Sequence, residues 1–118
     1  MTDLDELYNF WFTEAKPFYF NQSNDFDDII YKKYHFILEK HILIENPCKK
    51  DFITQIILYD QIPRHMYRGN QILINKYNLL IIPYIQLYYQ QYKENLNPYE
   101  FSFVLLPLRH TNNFNWIF

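Results

Sequence analysis

Apolar residues along the chain recur at spacings of three and four, the signature of helices that bury one face. Leu4, Leu7, Tyr8, Trp11 and Phe12 follow this period behind Thr2 and Asp5, whose spacing suits a reciprocal cap, so a first helix is predicted over residues 3–13. After a loop-like KPFYFNQSND, Ser23 or Asn24 can cap a second helix carrying Phe26, Ile29, Ile30, Tyr34, Ile37 and Leu38, extending toward Ile42 and ending before Pro47. A third helix starts near Lys50 or Asp51 and buries Phe52, Ile53, Ile56, Ile57 and Tyr59. Pro63 lacks an N–H and disfavours helical geometry at Ile62, and Gly69 suits a turn needing positive φ, so the chain is expected to turn in the polar stretch of residues 60–69. A fourth helix is expected over residues 75–94, with Pro83 either kinking it or marking its true first turn. Asn97, Pro98 and Glu100 read as cap, first-position proline and third-position carboxylate, opening a fifth helix that bends or ends near Pro107. About five helices with short polar connections imply an all-α fold of antiparallel helical hairpins. Residues 81–85 have strand-like periodicity, but no partner strand or hairpin turn accompanies them.

At 118 residues, with no Gly, Ser or Pro linker, the chain fits one domain, residues 1–118. A net charge of -2 and a pI near 6.0 give no broad positive field, so nucleic acid is not an expected partner. The longest apolar runs fall far short of the roughly 20 residues that span a bilayer, and MTDLDELYNF lacks the basic start of a signal peptide. No membrane association is expected. The single cysteine, Cys48, forms no internal disulfide, which agrees with a cytoplasmic location, or host cytoplasm if the source is viral.

Composition changes how the aromatics are read. Phe, Tyr, Met, Ile, Asn and Lys supply 60 of the 118 residues, whereas Ala and Gly occur once each. These favoured types have AT-rich codons, which points to an AT-rich genome of a parasite, symbiont or large DNA virus. Mutational drift then explains an aromatic content of 21% without bases to stack on. Residues disfavoured by drift become informative where they persist. All three arginines (Arg64, Arg68, Arg109), Gly69, and two of four histidines (His65, His110) fall in residues 60–69 and 107–110.

The block DQIPRHMYRG is therefore the candidate site. Spacings of one, three and four among Asp60, Gln61, Arg64 and Arg68 bring Asp60 beside Arg64 and Arg64 beside Arg68 on a helical turn. Asp60 can then fix one guanidinium while Arg68 meets a carboxylate or phosphate; equally, Asp60 and Arg64 can be a structural pair satisfying a helix end. His110 reaches this cluster if the third and fifth helices pack side by side, and could there serve as a general acid or base. No metal site is expected: Cys48 is single, and His35 and His41 are six residues apart rather than four. No Gly-rich phosphate loop or serine nucleophile elbow occurs, and no cofactor is expected. Trp11, Tyr19 and Phe20 could wall a pocket, although aromatics at helix ends are more often core. The tyrosine-rich IIPYIQLYYQQY could offer a partner surface, with ordinary helix packing the default.

The blocks FWF (residues 10–12), DFDDII (25–30), DQIPRHMYRG (60–69) and PLRH (107–110), in this order and spacing, resemble the largely bacterial family catalogued as domain of unknown function 924. The resemblance implies a tetratricopeptide-like stack of antiparallel helices and a polar cluster drawn from Asp60, Gln61, Arg64, Tyr67, Arg68 and His110. It implies no established activity. Family members usually place acidic residues on both sides of the histidine and a serine after it, where this chain has Arg109, Thr111 and Asn112. The family is also longer, which implies an open helical face here that another subunit or protein covers, including a second copy. Together these readings favour a binding module, with Arg64, Arg68, Arg109 and His110 taking a small anionic ligand or an acidic peptide. The alternatives are an enzyme using His110 as acid or base, and a shortened member acting as an assembly subunit.

Overall fold

The computed structural model describes residues 2–19 and 22–112. Five α-helices follow one another: α1 (Asp3–Trp11), α2 (Asn24–Lys40), α3 (Lys49–Met66), α4 (Gln71–Tyr92) and α5 (Pro98–His110), with short 3-10 turns at Lys16–Phe18 and Lys93–Asn95. The starts of three helices obey the expected cap chemistry. Thr2 and Asp5 exchange side-chain-to-backbone hydrogen bonds at 3.1 Å, Ser23 Oγ accepts from Phe26 N–H, and Asn97 and Glu100 form a second reciprocal box. Each satisfies N–H groups that a helix start leaves without partners.

The third helix is the axis of the fold. It packs against α1, α2, α4 and α5, and every residue from 52 to 63 is buried. The expectation of a single buried face is corrected accordingly: a helix covered on four sides has no outward face along that stretch. Its buried polar residues are consequently bonded inside the protein. Thr54 Oγ1 donates to the Lys50 carbonyl, and Gln55 Oε1 accepts from Ile44 N–H and lies 2.7 Å from His41 Nε2.

The chain turns in the expected stretch and Gly69 takes the expected positive φ, but Pro63 does not disturb the helix at Ile62. The helix runs on to Met66, and the chain turns only at residues 67–70, where Gly69 has φ +88. Proline at position 63 deprives the Tyr59 carbonyl of its usual N–H partner. Asn78 of α4 replaces it, its Nδ2 donating to Tyr59 O at 3.1 Å, so the helix continues without an unsatisfied buried carbonyl. Two further boundaries differ. The fourth helix starts at Gln71, capped by Asn70 Oδ1 on Leu73 N–H, and Pro83 lies inside it rather than at its first turn. Pro107 likewise sits within α5.

The tyrosine run of α4 has a structural use. Tyr84, Tyr88 and Tyr92 are four residues apart and so share one helix face. Tyr84 Oη donates to Ile44 O at 2.7 Å, Tyr88 Oη accepts from Asn46 N–H at 2.9 Å, and Tyr92 Oη donates to Pro47 O. Together they tether the connection between α2 and α3. Tyr84 Oη also accepts from Gln55 Nε2 at 2.7 Å. Tyr84→Phe removes both bonds while keeping the ring, and should cost about 1–3 kcal/mol of unfolding free energy in urea titrations. Tyr99→Phe, at an exposed position, should change stability by less than about 0.5 kcal/mol.

Candidate functional site

Two residues set the geometry where α3 meets α5. Asp60 has no accessible surface, and His110, at the last turn of α5, stands with Nδ1 2.9 Å from Asp60 Oδ1. A carboxylate accepts only, so the ring nitrogen facing it carries the proton and donates. Gln61 Nε2 donates to the other carboxylate oxygen at 2.8 Å. Arg64 Nε lies 3.5 Å from Asp60 Oδ1, an ion pair rather than a hydrogen bond, and this buried Nε has no hydrogen-bond partner among the described residues. Arg64 Nη2 donates to Asn78 Oδ1, the same residue that repairs the break at Pro63.

A second constellation of the same kind lies beside it. His65 Nδ1 is 2.9 Å from Asp27 Oδ1 of α2, and Arg68 grips Asp27 twice, Nε to Oδ2 at 2.6 Å and Nη2 to Oδ1 at 3.1 Å. Burial alone would raise the Asp27 carboxyl, but the hydrogen bonds from Arg68 and His65 outweigh it and hold this group below the ordinary carboxylate range. Burial lowers the His65 imidazole, with Asp27 only partly offsetting that effect, so His65 resists protonation.

Both constellations open on one cleft of about 160 Å³, lined by Tyr19, Gln61, Arg64, His65, Arg68, Leu106 and His110. The side chains of Arg64, Arg68 and His110 retain 27%, 35% and 29% of their exposure, so they remain reachable from solvent. Tyr19 stacks on Trp11 with ring centres 4.9 Å apart, and burial pushes its phenol above the ordinary value, leaving it protonated at neutral pH. Trp11 is fully buried, and its indole N–H has no hydrogen-bond partner among the described residues.

Of the expected site residues, the structure gathers Asp60, Gln61, Arg64, Arg68 and His110. It does not bring Tyr67 or Arg109 to the cleft. Tyr67 caps the end of α3 and stacks on Tyr77 at 6.1 Å, with burial raising its phenol to about 12, while Arg109 is exposed outside the lining. Tyr19 does line the cleft, whereas Phe20 lies outside the described residues. Asp27 and His65 were missing from the sequence-based site. Their signal was present: His65 is inside DQIPRHMYRG and Asp27 inside DFDDII, but nothing in linear spacing pairs residues thirty-eight apart. No three His, Cys, Asp or Glu side chains among the described residues are grouped as a metal ion requires.

An all-helical domain with two aspartate-held histidines and two arginines around one small cleft is the class that fold and site define. The chain belongs to the family described as bacterial protein of unknown function (DUF924), whose profile matches residues 7–116. No curated protein and no solved structure matches it.

The His65 environment carries a pH dependence of known sign. Its folded value is depressed, so the unfolded chain binds the extra proton below about pH 6.5, and stability falls as pH drops through that range toward the folded value. Asp27, also depressed, adds a further loss at lower pH as its carboxylate protonates. Unfolding free energy measured from pH 7.5 to 5 should decline in the wild type and be flatter in His65→Gln; parallel slopes would show that His65 is not held neutral.

Proposed function

We propose that this protein is a binding module for a small anion, with Arg64, Arg68 and His110 as the recognition groups. The observation that carries this reading is that Arg64 near the end of α3, Arg68 in the turn after it and His110 at the end of α5, remote in sequence, line the same cleft. Arg64 Nε is buried against Asp60 and Nη2 is given to Asn78, so the exposed part of this guanidinium is what remains to meet an oxyanion. At about 160 Å³ the cleft is smaller than the roughly 300–1,000 Å³ of pockets for drug-sized ligands, which favours a ligand of a few heavy atoms or the acidic end of a peptide over a nucleotide. Arg109 makes no contribution in this reading.

A second reading rests on the Asp60–His110 bond. With Nδ1–H committed to a buried carboxylate, the neutral ring presents a bare Nε2, the arrangement that lets histidine act as a general base. Among the described residues the cleft lining contains no serine, threonine or cysteine, so such a base would act on water or on the bound molecule rather than on one of these nucleophiles.

The binding reading is tested by thermal melts against a panel of small phosphates, sulfate, carboxylates and acidic peptides. A ligand at a hundred times its Kd should stabilise the fold by about 2.7 kcal/mol, raising Tm by several degrees. Arg68→Ala should abolish the ligand-induced shift, whatever its own effect on baseline Tm, and Arg109→Ala should retain it. A shift lost equally in both variants would place recognition elsewhere.

A further inference from the structure

The charges around the cleft nearly cancel. Arg64 faces Asp60, and Arg68 is engaged twice by Asp27, so two guanidinium groups stand against two carboxylates. With both imidazoles neutral the site has no net positive charge to hold a dianion. Orientation sharpens the problem: His110 gives its Nδ1–H to Asp60, so in the neutral ring Nε2 carries only a lone pair, which repels an oxyanion. An anion that touches this nitrogen therefore needs the imidazolium. His110 Nδ1 is 2.9 Å from Asp60 Oδ1 and its side chain remains 29% exposed, whereas His65 is buried among Trp11 and Phe26.

The groups facing His110 from the surrounding elements are Asp60, Arg64 and His65 of α3 and Arg68 in the turn after it, with Asp27 of α2 behind the last two, Tyr19 before α2 and Arg109 on its own helix. Only Asp60 favours the imidazolium at hydrogen-bond distance; the two arginines oppose it until an anion arrives between them. Two guanidinium groups and an imidazolium, brought together from the end of α3, the turn after it and the end of α5, also suit a tetrahedral oxyanion better than a carboxylate, which offers two oxygens in one plane.

Resting on the anion-binding reading above, we propose that the cleft takes a tetrahedral dianion, a sulfate or a phosphomonoester, together with one proton that His110 Nε2 donates to the ligand. Binding and protonation are then one linked event. Affinity is highest at mildly acid pH and falls about tenfold per unit above the range in which an imidazole ionises.

Sulfate is the clean probe, since it does not titrate in this range. Calorimetry of the full chain at pH 7.5 to 8, in two buffers of very different ionisation enthalpy, should show uptake of close to one proton per sulfate bound. Phenyl phosphate should bind in the same way, and acetate at least tenfold more weakly. His110→Gln keeps an N–H donor but cannot gain the charge; it should weaken binding and remove both the proton uptake and the pH dependence, with a melt confirming that it folds. Saturable binding of sulfate without proton uptake, or uptake unchanged in His110→Gln, overturns the proton coupling and leaves the anion site standing. Acetate binding as tightly as sulfate overturns the tetrahedral preference. No saturable heat from sulfate, phenyl phosphate or acetate at any pH from 5.5 to 8 overturns the anion site itself, and this proposal with it.

Discussion

A carboxylate with no access to water must find its donors inside the protein, and the donors around Asp60 organise one end of this fold. Gln61 comes from the same helix, His110 from α5, and Arg64 faces the same carboxylate while its Nη2 reaches Asn78 on α4. Asn78 in turn occupies the carbonyl that Pro63 leaves open. One buried charge thus ties three helices together at the point where a proline would otherwise break the central one. Removing a single member leaves a buried group unpaired, which is the expensive way to lose a polar interaction.

The outer members of the same network, Arg64, Arg68 and His110, are only partly covered. Asp60 fixes the ring of His110 but leaves Nε2 directed away from the carboxylate, and Asp27 does the same for His65. Arg64 on the last turn of α3 and Arg68 in the turn that follows engage the two carboxylates. The result is a cleft in which two guanidinium groups stand against two carboxylates, the balance on which the proposed proton-linked binding depends. Under the proposed anion-binding reading, structural satisfaction and recognition are two uses of the same hydrogen bonds, so a structural Asp60–Arg64 pair and an anion site do not exclude one another.

Local chemistry was legible from the chain. Thr2, Ser23 and Asn97 cap the helices they were expected to cap, because capping depends on residues within one turn of each other. What could not be read was anything that depends on a partner from another helix. Pro63 looks like a breaker until Asn78 supplies the missing bond, and α3 looks one-sided until four helices surround it. Asp27 and His65 were visible as residues in conspicuous blocks, but their pairing needs the packing of α2 against α3. Conversely, Arg109 shared the rarity that marked the site without sharing its location, because rarity reports on composition and not on direction.

The central claim is that Asp60 forces His110 into one tautomer with Nε2 bare toward the cleft. Long-range ¹H–¹⁵N correlation of the imidazole nitrogens, at a pH where His110 is neutral, reads that state directly. The account predicts the Nδ1–H form, with Nε2 at the shift of an unprotonated nitrogen. A predominantly Nε2–H ring, or one averaging freely between the two forms, would contradict it.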